Sequence, residues 1–323
     1  MAEAVVVRAT GGPEVLEYAE IDLPAPGPGE LLVDVTAAGV NYIDTYHRRG
    51  LYSKDLPFTP GNEGAGVVRA LGPDVADVAV GDHVAWAEVA GSYARQAVVP
   101  AHSVYPVPAG VDDETAAAAM LQGLTAHYLV TSTYAVKPGD TVLVHAAAGG
   151  VGLLLVQAAK SRGGKVIGTV STAEKEELAR AAGADEVIRY TETDFAEEVA
   201  RLTGGVGVAA VYDGVGKDTF DASMTCLARR GMLVLFGASS GPVPPVDPQR
   251  LNAAGSVFLT RPTLGHHLAT PDEFRWRCEE LFSAITGGRI DVRIGARYPL
   301  AEARRAHEDL EGRRTTGKLL LIP

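Results

Sequence analysis

The distribution of apolar residues divides the chain into two parts with different patterns. Up to about residue 124, short runs rich in β-branched residues are separated by Gly and Pro, which is typical of a strongly bent, barrel-like β-sheet. Between about 125 and 262, strand-like segments such as 141–145 alternate with segments of helical period such as 150–162. This alternation predicts a parallel, doubly wound sheet.

The C-terminal part of the chain returns to the first pattern. From about residue 263 onwards, the sequence predicts two helices, at 271–286 and 299–311, and a last strand within 317–323. The simplest partner for this strand is the N-terminal sheet. We therefore expect an α/β protein with a β-rich domain built from residues 1–124 and 263–323, and a doubly wound domain at 125–262.

A turn of small residues follows the first predicted strand of the doubly wound part. It reads AAAGGVG, and Ala147, Gly149 and Gly152 form an A-x-G-x-x-G pattern that lacks one glycine of the usual dinucleotide fingerprint. The N–H groups and the dipole at the start of a helix form an anion site, which in this strand–turn–helix context binds a pyrophosphate. Alternatively, the glycines only allow the helix to pack closely on the strand.

The segment after the second predicted strand bears on the choice of dinucleotide. An NAD site usually has a carboxylate there, but this chain has Ser171 and Thr172, followed by Lys175. Hydroxyl groups and a cation suit a ribose 2′-phosphate, which favours NADPH. The alternative is that Ser171 caps the next helix and Lys175 is solvated. Tyr190, just after the third strand, is a further candidate for the adenosine end.

Composition and charge exclude several other classes of function. The net charge of −11 is spread along the chain, which argues against nucleic acid or an anionic membrane as a main partner. The N-terminus has no basic segment followed by an apolar one, and no apolar run approaches about 18 residues, so we expect a cytoplasmic protein without membrane insertion. Cys226 and Cys278 are isolated and are expected to be core residues.

Two further motifs make a resemblance to a known family specific. GVNYIDTYHRRGLY at 39–52 and PGNEGAGVV at 60–68 resemble signatures of the medium-chain dehydrogenase/reductase superfamily. The zinc alcohol dehydrogenases of that superfamily carry Cys in place of Asn41 and His in place of Asn62, so no metal site is expected here. Together with AAAGGVG, VST-x-x-K and LTRP, these motifs resemble the zinc-free NADPH:quinone oxidoreductases, the zeta-crystallin-like branch, over essentially the whole chain.

The resemblance implies a fold, a cofactor and a set of binding residues. The fold would be a GroES-like catalytic domain (1–124 and 263–323) around a Rossmann domain (125–262) that binds NADPH. The implied cofactor-binding residues are Asn41, Tyr46, Thr125 and Tyr128 at the nicotinamide end; Gly149, Gly150 and Val151 at the pyrophosphate; Ser171, Thr172, Lys175 and Tyr190 at the adenosine 2′-phosphate; Val215, Phe236 and Ala238 along the floor; and Arg313 over the adenosine side.

Two details of this set stay open. Ala238 departs from relatives that often carry an amide or a hydroxyl there, so a polar contact would be missing. The doublet Arg313-Arg314 leaves open which arginine contacts the cofactor. SVFLTRP at 256–262 resembles the edge strand through which relatives form a homodimer.

The expected reaction needs no metal. A quinone accepts a hydride readily because the oxyanion that develops is delocalised, so the protein mainly positions the two rings and donates hydrogen bonds. Asn41, Tyr46 and Tyr52 are the candidate catalytic donors. The two tyrosines are six residues apart and converge only if the chain turns at Gly50. Alternatively, they are only walls of the pocket.

Two other functions stay open at this point. The first is an NADPH-dependent reductase of enone or enoyl-thioester double bonds, for which Arg48-Arg49 is a weak candidate site for a carrier phosphate. The second is a non-catalytic NADPH-binding or RNA-binding crystallin-like protein, against which the negative charge counts. No Ser-His-Asp pattern is found. The sequence identifies neither the physiological acceptor nor one-electron versus two-electron reduction.

Overall fold

The computed structural model describes residues 1–323, which form two compact units. The first unit comprises residues 1–124, 268–286 and 292–323, and the second comprises 125–267 and 287–291. The division after residue 124 coincides with the change of pattern in the sequence. The return to the first unit lies at 267/268 instead of 262/263, because the ring of His267 stacks on Tyr128 of the second unit with 4.2 Å between ring centroids.

The N-terminal part of the chain forms most of the first unit. Its β-branched runs become short strands because such side chains pack well on a pleated surface. Its elements are β1 (Ala2–Val7), β2 (Leu16–Ile21), β3 (Glu30–Val40), α1 (Tyr42–Arg48), β4 (Glu63–Leu71), β5 (His83–Ala87), β6 (Gln96–Pro100) and β7 (Val104–Pro106), followed by α2 (Asp113–Tyr128), which contains the boundary between the units.

The second unit contains the alternating strands and helices. After a π-helical turn at Leu129–Thr133 come β8 (Thr141–Val144), α3 (Gly150–Ser161), β9 (Lys165–Val170), α4 (Ala173–Ala181), β10 (Glu186–Arg189), α5 (Phe195–Leu202), β11 (Val208–Asp213), α6 (Phe220–Thr225), β12 (Leu227–Leu235), α7 (Gln249–Ala253) and β13 (Phe258–Thr260). Helix α6 begins only at Phe220, because the chain from Gly214 to Thr219 forms a turn around the carboxylate of Asp213.

The remaining elements complete the first unit: α8 (Pro271–Thr286), β14 (Ile294–Pro299), α9 (Ala303–Glu311) and β15 (Lys318–Ile322). Helix α9 starts four residues later than predicted, because Leu300–Glu302 form a 3-10 turn after Pro299. Strand β15 pairs antiparallel with β3, with Leu319 opposite Val40. This pairing confirms the prediction that the last strand returns to the N-terminal sheet.

Each unit is built on its own sheet and core. In the first unit, seven strands include the path β14-β15-β3-β4-β5-β7, with β6 also paired to β3. Its core contains Leu31, Trp86 and Leu319. In the second unit, six parallel strands lie in the order β10-β9-β8-β11-β12-β13, which confirms the doubly wound prediction. Its core contains Leu143, Val211 and Phe220.

None of the helices combines the length and the apolar character that a membrane span requires.

Candidate active site

The turn between β8 and α3 has the geometry of an anion site. Gly149 is the N-cap of α3 and has no side chain to occupy the N–H groups of the first helical turn. A Cβ atom on Gly152 would lie 2.2 Å from the carbonyl oxygen of Ala146, so only glycine lets the helix approach the turn this closely. Residues 149–151 are partly exposed. The turn therefore presents backbone N–H groups and a helix dipole to an anion.

The order of the strands places this turn at the switch point of the sheet. Strands β9 and β10 lie on one side of β8, and β11, β12 and β13 lie on the other. In parallel doubly wound sheets, the ligand binds at the carboxyl ends of the two strands where the order reverses. Here these are the ends of β8 and β11, followed by the turns at residues 145–149 and 213–216.

Three of the predicted cofactor-binding residues lie in the turns that follow β11 and β12. Asp213 is fully buried, and its Oδ1 atom accepts the N–H groups of Val215 (2.8 Å) and Gly216 (2.9 Å). The N–H of Phe236 donates to the Asp213 carbonyl oxygen at 2.9 Å. A Cβ on Gly216 would lie 3.0 Å from Cα of Ala238. Val215, Phe236 and Ala238 therefore gather at the carboxyl ends of β11 and β12.

The predicted 2′-phosphate residues lie at the carboxyl ends of β9 and β10. Thr172, and not Ser171, is the N-cap of α4, since its side-chain oxygen accepts the N–H of Lys175 at 3.3 Å. Lys175 is half-buried in the first turn of α4, and Tyr190 is exposed. The N–H of Tyr190 donates to the carbonyl oxygen of Val170, at the end of β9, at 3.1 Å. Hydroxyl groups, a cation and an aromatic ring are thus grouped at this edge.

The two residues predicted at the start of the doubly wound part are buried on α2. Thr125 is 7% exposed and Tyr128 is 2% exposed. The stacking of Tyr128 on His267 fixes the plane of its ring. Their contacts with a cofactor stay predictions.

In the first unit, the tyrosine motif forms a compact aromatic group. Tyr46 lies on α1 and is 8% exposed, whereas Tyr52 is 39% exposed. Gly50 has a φ angle of +73°, which favours glycine, and the chain turns there so that the N–H of Tyr52 reaches the carbonyl oxygen of Tyr46. The two rings make an edge contact with centroids 5.5 Å apart. The turn on which their convergence depends is therefore present.

Asn41 has a different environment from the one we expected. Its Nδ2 atom donates to Glu63 at 2.5 Å, and its Oδ1 atom accepts from Gln122 (3.0 Å) and from the ammonium of Lys318 (2.9 Å). The residue is 3% exposed. Both ends of the amide are thus engaged inside the protein. A contact of Asn41 with an acceptor or with the cofactor stays a prediction.

Glu63 and Lys318 form the charged centre of this group. Both are buried, and the ammonium of Lys318 donates to the Glu63 carboxylate. The second oxygen of Glu63 accepts the N–H of Leu121 at 2.6 Å. Burial lowers the pKa of Lys318, and the carboxylate opposes that effect. A buried charge needs such a partner, so removing either residue would leave the other uncompensated.

A second buried network lies around Asp44. Its carboxylate accepts from the backbone N–H of Asn41 (2.9 Å), the amide of Asn62 (2.7 Å) and the hydroxyl of Tyr93 (2.9 Å). Burial raises the pKa of Asp44 to about 6. Because Asp44 is the N3 residue of α1, these contacts orient the helix that carries Tyr46.

The network continues from Tyr93 through His307 to Arg48. Tyr93 lies 3.1 Å from Nε2 of His307, and Arg48 donates to Nδ1 of His307 at 2.8 Å. Since Arg48 can only donate, His307 carries its proton on Nε2. Burial lowers the pKa of His307 to about 3, with a smaller contribution from the Arg48 charge. Arg48 is buried and forms two hydrogen bonds with Glu311, so it cannot serve as a surface site for a carrier phosphate.

These donor sets do not fit a zinc ion. Asn41 and Asn62 offer amide groups that are already bound to carboxylates, and the cationic position beside Asn41 holds the ammonium of Lys318. Structural and catalytic zinc sites use Cys, His and carboxylate ligands. No group of three or more such residues has the geometry to hold a metal ion.

The two residues of the C-terminal arginine doublet both lie at the end of α9. Arg314 donates to the carboxylate of Asp309 at 3.0 and 2.6 Å and to the carbonyl oxygen of Glu308. Which of the two arginines contacts a cofactor stays open. Arg313 has a φ angle of +56° and is exposed.

Several residues that build these sites were missed by the sequence analysis. Glu63 directly follows Asn62 in the motif PGNEGAGVV, and Lys318 is a lysine in an otherwise apolar strand, which is the signal that the sequence offers for it. His145 directly precedes the segment AAAGGVG at 146–152, which we call the phosphate turn. Asp213 ends a buried strand. The partners of these polar residues are distant in the sequence, so no local pattern identifies them.

Family models match both parts of the chain. Residues 27–109 match the alcohol dehydrogenase GroES-like domain, and residues 150–283 match the zinc-binding dehydrogenase domain. The chain is 48% identical over its whole length to a quinone oxidoreductase of Pseudomonas aeruginosa, with full coverage of both proteins.

Solved structures agree with these matches. A mycobacterial protein in complex with NADPH shares 56% identity with a TM-score of 0.97, and the Escherichia coli quinone oxidoreductase in complex with NADPH shares 45% identity with a TM-score of 0.98. Both comparisons cover 100% of each chain.

One further relative has a different name. A 2-haloacrylate reductase from a Burkholderia species is 42% identical, with 100% of this chain and 99% of the relative covered. Since these similarities extend over both units, the chain belongs to the medium-chain dehydrogenase/reductase family, among the quinone oxidoreductases and their relatives.

Proposed function

We propose that this protein catalyses the NADPH-dependent reduction of a quinone. The observation that carries the proposal is the full-length similarity to quinone oxidoreductases at 45–48% identity, one of them solved with NADPH. The second unit supports a dinucleotide, because a glycine turn and a helix N-terminus lie at the switch point of its parallel sheet.

The adenosine edge supports NADPH as the dinucleotide. At the end of β9, Ser171 takes the place of the carboxylate that would hold the ribose of NAD and repel a 2′-phosphate. Lys175 places a cation in the first turn of α4, where the helix dipole also favours an anion. The carboxylate of Glu176, in the same turn, forms ion pairs with Arg180 and Arg189, so it does not cancel the positive charge of Lys175.

In the proposed reaction, the residues of this chain donate hydrogen bonds and hold the reacting groups in position. When bound, NADPH supplies a hydride; one quinone and one proton are consumed, and one hydroquinone and NADP⁺ are formed. Tyr46 and Tyr52 donate hydrogen bonds to the oxygen on which negative charge develops, which stabilises the transition state more than the ground state. The buried contacts of Asp44 and Asn41 hold α1, and with it Tyr46, in place.

The proposal is tested by the consumption of NADPH with a panel of acceptors. Purified protein is mixed with quinones of several sizes, enones and enoyl thioesters, and the loss of reduced nicotinamide absorbance is followed together with the product. We expect quinones to give the highest kcat/KM. Turnover restricted to any other class of acceptor would contradict the proposal.

The second candidate is the reduction of an activated carbon–carbon double bond. It is favoured by the similarity to the 2-haloacrylate reductase. Such an acceptor also takes a hydride and stabilises the charge on a conjugated oxygen. Of the Arg48-Arg49 doublet considered for a coenzyme A or carrier phosphate, Arg48 is buried against His307 and Glu311, and Arg49 alone is exposed. Small unsaturated acids in the same panel of acceptors distinguish this function.

We further propose that the protein forms a homodimer through β13. This strand is at the edge of the six-stranded sheet, and Phe258 on it is 56% exposed. An exposed edge strand with an apolar side chain favours pairing with a second copy. Sedimentation of the wild type and of Phe258→Asp tests this proposal, since only the wild type should sediment as a dimer. The cytoplasmic location and the lack of nucleic-acid binding stay predictions.

A further inference from the structure

A buried chain of hydrogen bonds lies beneath the switch point of the second unit. It runs from Asp213 through Ser223 and His145 to Thr169, with distances of 3.0, 2.9 and 2.9 Å. Each of the four residues is at most 2% exposed, so none of them can touch a ligand directly. The serine lies between the histidine and the aspartate, so the arrangement is not that of a hydrolytic triad.

The direction of every hydrogen bond in this chain is determined. The carboxylate of Asp213 accepts four hydrogen bonds, two from backbone N–H groups and two from the hydroxyls of Thr219 and Ser223. The single proton of Ser223 is used in this way, so Ser223 must accept from Nε2–H of His145. Burial lowers the pKa of His145, which keeps the ring neutral. Nδ1 is then an acceptor, and Thr169 donates to it.

The two ends of this row of hydrogen bonds hold the two turns that follow β11 and β8. At one end, Asp213 fixes the N–H groups of Val215 and Gly216 in the turn after β11. At the other end, the carbonyl oxygen of Thr169 accepts the N–H of Ala147, inside the phosphate turn, at 3.1 Å. This row of hydrogen bonds therefore joins the turns after β8 and β11. A dinucleotide at the switch point must contact both turns together.

We propose that His145, Ser223 and Thr169 are positioning residues for NADPH, which set the phosphate turn relative to the turn after β11. Phe195 completes the site, with its ring edge-on to His145 at 4.9 Å between centroids, so the imidazole has little freedom to rotate. Without these side-chain hydrogen bonds, β8 and β11 would stay paired, with the N–H of His145 donating to the carbonyl oxygen of Tyr212 at 3.1 Å, but the turns beyond the strand ends would be less firmly held relative to each other, and binding would have to align them. This alignment reduces affinity for a ligand that spans both.

The inference rests on the proposed use of NADPH, and its test separates the two. The variants are Thr169→Val, which removes the hydroxyl and keeps the shape, Thr169→Ser, which restores the hydroxyl, and Ser223→Ala. The control is Thr203→Val. Thr203 follows α5 and lies before the amino end of β11, away from the carboxyl ends of the strands. Its hydroxyl donates to the carbonyl oxygen of Val199 and accepts the N–H of Gly207. Dissociation constants are measured for NADPH and for adenosine 2′,5′-bisphosphate, and thermal unfolding is recorded for each protein.

We expect Thr169→Val and Ser223→Ala each to raise the Kd of NADPH by about 5-fold, the effect of one buried hydrogen bond. Thr169→Ser should bind like the wild type, and the double variant should lose no more than about 10-fold, because either break interrupts the same chain. The Kd of the bisphosphate should stay within about 2-fold. Its 5′-phosphate can reach the turn after β8, but the fragment is too short to contact the turn after β11 as well, so it does not need the two turns to be aligned. Ser223→Ala provides the test if Thr169→Val does not fold.

Other results would overturn the inference. If the variants unfold at lower temperature but bind NADPH like the wild type, as expected for Thr203→Val, the chain only supports the fold. Equal losses for NADPH and the bisphosphate would place the effect elsewhere. If the wild type does not bind NADPH, both this inference and the proposed function are wrong.

Discussion

The preference for NADPH over NADH should depend largely on Lys175. Its side chain is half-buried in the first turn of α4, and its backbone N–H is bound by the capping oxygen of Thr172. Replacing Lys175 with Ala removes the ammonium but keeps the backbone N–H that the cap uses. Alanine is also a good helix former, so the helix should persist. The substitution therefore removes the charge and leaves the cap of the helix in place.

The expected size of the effect follows from the exposure of the lysine. A hydrogen bond between charged groups contributes about 1.5–3 kcal/mol, and a partly solvated cation belongs in the lower half of that range. We therefore expect Lys175→Ala to raise the Kd of NADPH by about 10- to 30-fold and to leave that of NADH nearly unchanged. Higher ionic strength should reduce the difference between wild type and variant.

Titration of NADPH and NADH into the wild type, Lys175→Ala and a control variant tests this prediction. The third protein is Lys165→Ala, which removes an exposed lysine at the amino end of β9 in the same unit. This control should bind both cofactors like the wild type. Equal losses for NADPH and NADH in Lys175→Ala would mean that the lysine supports the fold. A wild type that prefers NADH would refute the assignment of this edge to a 2′-phosphate.

Three further predictions concern the first unit. Tyr46→Phe and Tyr52→Phe should lower kcat with quinones by about 5- to 150-fold while the Kd of NADPH is kept, because a hydrogen bond that strengthens in the transition state is lost; unchanged kinetics would make both residues pocket walls. Elemental analysis should find no stoichiometric zinc, and chelators should not reduce turnover, because the Lys318 ammonium occupies the cationic position; chelator-sensitive activity with bound zinc would contradict this. Burial lowers the pKa of His307 to about 3, below its value of about 6.5 in the unfolded chain. The contribution of the neutral His307 ring to the unfolding free energy is therefore complete above pH 6.5 and is lost as the pH falls towards 3. Between these values the unfolding free energy of the wild type should fall with decreasing pH more steeply than that of His307→Gln, by at most about 1.4 kcal/mol per pH unit in urea titrations; equal slopes would show that His307 is protonated in the folded protein.

The doubly wound unit was predictable because its information is local. Each strand and helix has its own periodicity, and right-handed crossovers leave few ways to order the strands. The phosphate turn was found for the same reason, since Gly149 and Gly152 act within one strand–turn–helix unit. The helix boundaries were less accurate. At α6 and α9, a turn around a buried carboxylate and a 3-10 turn after a proline delay the start of the helix, and the hydrophobic period of the sequence does not show this.

The role of Asn41 shows where the motif alone was insufficient. Its position in the sequence gave no indication that Glu63, Gln122 and Lys318 bind its amide. Lys318 and Glu63 are separated by 255 residues, and His145 and Ser223 by 78. No sequence pattern connects residues at such distances.

The amino-acid sequence by itself determined the two kinds of sheet, the return of the last strand to the first unit, and the turns at which a dinucleotide would bind. These features depend on hydrophobic period, glycine and the chain direction, which are properties of neighbouring residues. Only the tertiary structure decided which polar side chains are buried together. Their hydrogen-bond partners come from distant segments, and each buried donor or acceptor must be satisfied by whichever group the fold brings to it.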